Sequence, residues 1–225
     1  MSEERTFTQG VRSSFPIMTG YIPIAMAYGV IGIKAGLPAW VIISMSIFIY
    51  AGASQFMAIN LFTLGTAPLE MMIAVGVLNM RHVVMGLSFQ SRVNLSFTDR
   101  ILTSLGLTDE TFAFLSLDKN LNGPYAKGVM LGSYLSWVLG AVAGILFGNI
   151  LPDIISQGLE IAIYTLFITL LVSSLKASSK LFYVPLVSMI TNIIISQRLS
   201  SGLSILISIL AGAVAGMIFG GNDDE

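Results

Sequence analysis

Residues 128–148 read GVMLGSYLSWVLGAVAGILFG, a run without one charged side chain. A helix that crosses a hydrocarbon core of about 30 Å needs roughly 20 largely apolar residues, so the run predicts a membrane-spanning helix over 128–151. Small residues recur at every fourth position, a spacing that lets two helix backbones approach closely. We predict that this face, and a similar one at 204–220, packs against neighbouring helices. A sliding or partner-docking surface is the alternative.

Apolar runs occur along the whole chain and predict an all-α, polytopic membrane protein with seven or eight transmembrane helices. The predicted spans are residues 15–33, 39–64, 69–89, 128–151, 158–175, 181–196 and 201–220. An eighth candidate, 101–117, is short and contains Asp109 and Glu110. Under the positive-inside rule the N-terminus lies outside for seven spans and inside for eight, so the orientation stays open.

The composition indicates a chain that lies almost wholly in the bilayer. Hydrophobic residues make up 55% and charged residues 10% of the 225 positions, whereas a soluble domain has about 25% charged residues. We therefore predict one integral-membrane domain over 1–225, with short polar tails at 1–14 and 221–225. A net charge of -1 excludes a nucleic-acid binder that relies on a basic patch. The absence of cysteine excludes a disulfide-stapled domain.

The first predicted span contains the segment Gly20-Tyr21-Ile22-Pro23. Proline removes a backbone hydrogen bond, and a broken helix is tolerated in a membrane only against protein or a water-lined cavity. Pro23 therefore predicts either a transport pathway or a simple kink. An internal repeat, common in transporters, is a further hypothesis. It rests on the matched spacing of Gly20, Gly32 and Gly36 with Gly132, Gly144 and Gly148.

Four polar clusters lie within or between the apolar runs. They are Ser54-Gln55, Asn79-Met80-Arg81-His82, Thr108-Asp109-Glu110 and Thr191-Asn192. A charged side chain at the centre of a span costs about 2.5–3.5 kcal/mol on insertion scales. Arg81 therefore predicts a carboxylate partner, a cavity or a substrate anion nearby, with Asp109 and Glu110 as the candidate carboxylates. The alternative for Thr108 and Asp109 is the capping of a helix start.

Composition and spacing identify no substrate, but these side chains are compatible with a zwitterion that has an apolar side chain. Arg81 and helix-end amides would take its carboxylate. Asp109 or Glu110 would take its ammonium group, and Met26, Phe56 or Met57 would line the apolar pocket. The predicted substrate-binding residues are Ser54, Gln55, Asn79, Arg81, Asp109 and Glu110.

The predicted proton-coupling residues are His82, Asp109 and Glu110. His82 is the only histidine, and its ordinary pKa of about 6.5 suits reversible protonation. A purely structural role is the alternative for His82. One histidine is too few for a metal site, so neither a metal nor another cofactor is expected.

Enzyme chemistry is not expected. The sequence contains no Ser-His-Asp order, no His-Glu-x-x-His motif and no phosphate-binding loop. It therefore predicts neither a hydrolase nor an ATPase. An intramembrane enzyme is disfavoured because there is no cysteine and no paired serine and histidine.

Four motifs, in this order, resemble the AzlC family, the large subunit of bacterial branched-chain amino acid exporters. They are Gly20-x-x-Pro23, residues 51–56 (AGASQF), 79–82 (NMRH) and 107–113 (LTDETFA). The family more usually has leucine where Met80 stands. The motifs cover residues 20–113, and the second half of the chain agrees in length and hydropathy only.

The resemblance implies a multi-pass secondary transporter of the cytoplasmic (inner) membrane. It would export leucine, isoleucine, valine and methionine, driven by the proton-motive force. The resemblance also implies a partner, a small AzlD-like membrane subunit with about four spans, in a two-component permease. From the residues alone, an uncoupled solute channel or an accessory membrane subunit remains the alternative.

Overall fold

The computed structural model describes residues 5–93, 95–118, 120–148 and 182–220, with isolated positions between 158 and 176. The elements in these ranges are helices, which confirms the predicted all-α class for this part of the chain. The ten helices are α1 (Phe7–Ser13), α2 (Phe15–Lys34), α3 (Ala39–Phe48), α4 (Gly52–Thr63), α5 (Pro68–Arg92), α6 (Phe97–Leu105), α7 (Asp109–Ser116), α8 (Gly123–Phe147), α9 (Tyr183–Ile195) and α10 (Ser201–Gly220).

Within the described residues, four helices are long and apolar enough to cross a membrane. These are α2, α5, α8 and α10, while α3 and α9 are shorter apolar helices. A polytopic membrane protein is therefore confirmed. The count of seven or eight spans stays a prediction, because the predicted span at 158–175 lies, apart from isolated positions, outside the described residues.

The prediction of one continuous helix over 39–64 is wrong. Helix α3 ends at Phe48, α4 begins at Gly52, and residues 49–51 form a break between them. The backbone N–H groups of Ile49 and Tyr50 both donate to the carbonyl of Met45, which closes the end of α3. Tyr50 has a φ of +43°, in the left-handed region that few residues other than glycine adopt. Hydropathy does not register such a break because both halves are apolar.

The first span shows the opposite outcome. Helix α2 runs without interruption from Phe15 to Lys34 and contains Pro23 in its interior. Pro23 therefore does not end the helix, and the choice between a transport pathway and a kink stays a prediction.

The eighth candidate span, 101–117, is not one helix. It is divided between α6, with 9 residues, and α7, with 8 residues. Neither approaches the roughly 20 residues that a crossing helix requires. The predicted polar tail at 1–14 also contains structure, since α1 lies within it.

The chain divides into two compact units. The first comprises Met1–Gln55 and Asn79–Ala162, and the second comprises Phe56–Leu78 and Ile163–Glu225. The prediction of a single domain over 1–225 stays a prediction. In the second unit α10 packs on α9, where a Cβ on Gly212 would lie 3.0 Å from the carbonyl oxygen of Val184.

Helix α8 is the centre of the first unit, and α1 and α2 pack along its small-residue face. Gly128, Gly132, Ser136, Gly140 and Gly144 of this face are buried. A Cβ on Gly140 would lie only 2.8 Å from the Cβ of Ala25 in α2, and one on Gly144 would overlap the backbone of Met26. The predicted packing of this face against neighbouring helices is confirmed.

Gly144→Ala should destabilise the protein by about 1–3 kcal/mol, because the added methyl group overpacks the contact between α2 and α8. Gly76→Ala is the matched control, since a Cβ at that helical position meets nothing within 4 Å. The control should be neutral or stabilising by up to about 1 kcal/mol. Thermal unfolding of the two variants in detergent compares them, and equal melting temperatures would contradict the packing shown here.

Candidate functional site

An ion pair joins α5 to α7 in the first unit. Arg81 lies near the middle of α5, and its Nη2 is 3.0 Å from Oδ2 of Asp109, the first residue of α7. The two side chains are only 29% and 26% exposed. The Nε of Arg81 is buried and has no hydrogen-bond partner in the described part of the chain. The predicted pairing of Arg81 with a carboxylate is confirmed for Asp109, and the N–H of Nε is a buried donor without a partner among the described residues.

The start of α7 fixes where this carboxylate lies. The Thr108 side chain accepts a hydrogen bond from the N–H of Thr111, and the Thr111 hydroxyl oxygen accepts one from the N–H of Thr108. Asp109 and Glu110 therefore occupy the first turn of a capped helix, where the helix dipole favours acidic residues. Thr108 thus caps the helix, as the alternative interpretation predicted, while Asp109 also pairs with Arg81.

Glu110, the neighbouring acid, has a different partner. The Tyr21 hydroxyl of α2 donates to Oε2 of Glu110 at 2.7 Å. It also lies 2.6 Å from Oγ1 of Thr108. Tyr21 is only 5% exposed. The contact ties α2 to the start of α7 through a buried hydroxyl group.

Gln55, which the sequence predicts to bind substrate, connects three helices. Its Nε2 donates to Oγ of Ser46 at 3.1 Å, and its Oε1 accepts from Nε1 of Trp137 at 2.9 Å. Gln55 and Ser46 are fully buried. Gly52 lies against the Trp137 ring, where a Cβ would be 2.6 Å from Cη2. In this structure the Gln55 amide holds α4 against α3 and α8.

The other predicted polar residues lie on α4 and α5. Ser54 donates to Oδ1 of Asn79 at 2.5 Å, which links these two helices beside the break. His82 follows Arg81 on α5 and is half-buried. The backbone of Met26 lies against Gly144, so this residue takes part in the packing of α2 on α8.

An aromatic cluster surrounds the break between α3 and α4. The Tyr21 ring lies 5.2 Å from the Trp137 ring and 6.5 Å from the Tyr50 ring, and Tyr50 lies 5.0 Å from Tyr134, all edge to face. The Tyr50 hydroxyl is buried and lacks a hydrogen-bond partner among the described residues. Our sequence interpretation did not single out these residues. The one available signal was the position of Tyr21 inside the Gly20-x-x-Pro23 motif.

Comparison with known proteins places the chain among bacterial and archaeal membrane proteins. The family described as AzlC protein matches residues 16–151. An uncharacterized membrane protein of Archaeoglobus fulgidus is 34% identical over 67% of this chain and 67% of its own length. The inner membrane protein YgaZ of Escherichia coli is 32% identical over 64% of this chain and 62% of its own length. The branched-chain amino acid transport protein AzlC of Bacillus subtilis is 27% identical over 74% of this chain and 68% of its own length. No solved structure matches.

Trp137→Phe should destabilise the protein by about 1–3 kcal/mol, because it leaves the buried carbonyl of Gln55 without a donor. Trp40→Phe, at a position that is 70% exposed on α3, is the matched control and should change little. Denaturant or thermal unfolding of both variants in detergent measures the difference. Equal stability of the two variants would show that the contact between Trp137 and Gln55 does not hold the start of α4.

Proposed function

The chain belongs to the AzlC family of membrane transport proteins, and we propose that it exports branched-chain amino acids across the cell membrane. The proposed substrates are leucine, isoleucine, valine and methionine, and the driving force is the proton-motive force. The Bacillus subtilis relative is named a branched-chain amino acid transport protein, which supports this substrate class. We further propose that the chain is the large subunit of a two-component permease with a small AzlD-like membrane subunit.

The ion pair between Arg81 and Asp109 is the observation that carries this proposal. An amino acid is a zwitterion, and its two charges match the two side chains in sign. The guanidinium would bind the substrate carboxylate, for which arginine offers paired donors in a fixed fork. Asp109 would bind the ammonium group. The buried, unpartnered Nε of Arg81 supports an anion contact at this guanidinium.

The same pair explains how the carrier keeps its charges neutralised when no substrate is bound. Without substrate, each side chain neutralises the other at 3.0 Å, so neither leaves an unpaired charge in a low-dielectric environment. With substrate, the zwitterion takes the place of each partner, and the charges are again matched. Both forms could then change conformation without exposing a bare charge to lipid. This is what a carrier that returns empty requires.

The neutral residues around the pair have separate tasks in this proposal. Ser54 and Asn79 join α4 to α5 two positions before Arg81 and would add polar contacts to the substrate. Gln55, engaged with Ser46 and Trp137, would hold the start of α4 in place. The apolar side chain of the substrate requires an apolar pocket, for which Met26, Phe56 and Met57 remain the predicted residues.

Arg81→Gln and Asp109→Asn should each lower leucine transport by about 10- to 100-fold, because a hydrogen bond to a charged group is worth about 1.5–3 kcal/mol. Transport is measured as exchange of labelled for unlabelled leucine in proteoliposomes, with and without the small subunit. Arg92→Gln is the matched control. It lies at the end of the same helix and is exposed, and its hydrogen bond in the described part of the chain goes to the backbone oxygen of Asp118, so exchange should be unchanged.

Wild-type exchange rates in Arg81→Gln or Asp109→Asn would contradict the proposed binding pair. Equal rates with and without the small subunit would contradict the two-component assignment. Leucine flux that follows the leucine gradient and ignores an imposed pH gradient would favour the uncoupled channel over the coupled exporter.

A further inference from the structure

We propose that Glu110 is the carboxyl group that carries the coupled proton, and that the hydroxyl groups of Tyr21 and Tyr50 relay the change to the break between α3 and α4. The inference rests on the proposed transport function and separates Glu110 from Asp109, its neighbour in the chain. It is drawn from the unlike partners of the two acids. Asp109 is paired with a guanidinium, whereas Glu110 is bound by the neutral hydroxyl of Tyr21.

The unlike partners give the two acids unlike chemistry. Protonation of Asp109 would break its ion pair and leave the Arg81 guanidinium without that partner. The described salt bridges are Arg5–Asp118, Arg81–Asp109 and Lys127–Asp99, and Glu110 takes part in none of them. A carboxylate that is hydrogen-bonded by a tyrosine can accept a proton without breaking an ion pair. Glu110 is therefore better suited than Asp109 to change its charge during transport.

The titratable groups around Glu110 come from several elements. Tyr21 faces it from α2, Tyr50 from the break and Asp109 from α7 itself. Arg81 of α5 acts through its pairing with Asp109, and His82 interacts electrostatically with the same carboxylate. Tyr134 of α8 contacts the ring of Tyr50. Arg81 is already paired with Asp109, so Glu110 is the acid of this turn that can change its charge without breaking a described ion pair.

Protonation of Glu110 rearranges the hydrogen bonds around Tyr21, and each hydrogen in this step has an acceptor. In the charged state the Tyr21 hydroxyl donates to Oε2 of Glu110, and its oxygen lies 2.6 Å from Oγ1 of Thr108. In the proposed step Thr108 is the donor of that second bond. A proton from the aqueous phase then adds to Oε2, and this new O–H donates to the Tyr21 oxygen. The hydrogen of Tyr21 turns away from Glu110 and needs a new acceptor. In this proposal the Tyr50 hydroxyl oxygen is that acceptor, because it is buried without a partner in the described residues and its ring packs on that of Tyr21.

Tyr50 links the protonation step to the backbone. It packs edge to face on Tyr21 and has the left-handed φ of +43° at the break. A hydrogen bond received by its hydroxyl acts on the residue whose backbone separates α3 from α4. Four positions further along the chain, Ser54 contacts Asn79 of α5, the helix that also contains Arg81. Protonation of Glu110 and binding of substrate to Arg81 and Asp109 would therefore both act on the break between α3 and α4.

The test compares two modes of transport in proteoliposomes that contain the small subunit. Leucine exchange at equal pH needs no net proton movement, whereas uphill accumulation under an imposed pH gradient does. Glu110→Gln should keep exchange and lose gradient-driven accumulation together with its pH dependence. Tyr50→Phe, which removes the acceptor, should show the same split in weaker form. Glu70→Gln, a carboxylate variant in the second unit, should behave as wild type in both modes.

Two outcomes in transport would overturn the proposal. One is a normal response of Glu110→Gln to the pH gradient. The other is loss of exchange to the level of Asp109→Asn, which would make Glu110 a substrate ligand.

A second readout does not depend on leucine transport. The infrared difference spectrum between low and high pH should contain a protonated carboxyl band that Glu110→Gln lacks and Asp109→Asn keeps. Absence of that band from the wild type would refute the proposal even in protein that transports no leucine.

Discussion

A charge in the interior of a membrane must be matched by an opposite charge, and Arg81 is the point where this protein meets that constraint. The match comes from Asp109, whose position is set by the capped start of α7. The next residue, Glu110, is tied by Tyr21 to α2, and α2 is packed against α8 along a face of small residues. The placement of four helices is therefore connected to one ion pair. The acids are held precisely although α7 has only 8 residues.

Helix α8 contributes in two different ways. Along its glycines it lets α1 and α2 approach to backbone contact, which is how helices associate where lipid offers no hydrophobic contrast. At Trp137, by contrast, a large buried side chain separates α8 from α4. It fills the space beside Gly52 and donates to Gln55. The small residues define the distance between the helices, and the tryptophan defines where α4 begins. Together they support the broken helix beside the site.

The features that could be predicted from the sequence are those set by the cost of placing polar or charged residues in the bilayer. Apolar runs located α2, α5 and α10 closely, and the scarcity of charge singled out Arg81 and its carboxylate partner. Residues 39–64 were misjudged because an apolar run is equally compatible with one helix or two. The break depends on tertiary contacts, such as that of Gln55 with Trp137, 82 positions away. Pro23 does not interrupt α2, because a helix in a membrane tolerates the donor that proline removes where neighbouring helices satisfy the freed backbone group.

The closed end of α3 has a mechanical consequence. The N–H groups of Ile49 and Tyr50 both terminate on Met45, so the hydrogen-bond ladder of α3 is complete before the chain enters α4. A swivel of α4 about residues 49–51 would consequently sever no rung of α3. The resistance to such a swivel lies in side chains, chiefly the Gln55 amide with its two partners. The joint is thus restrained by side chains rather than by the helix backbone, and the Gln55 amide supplies two of those restraints.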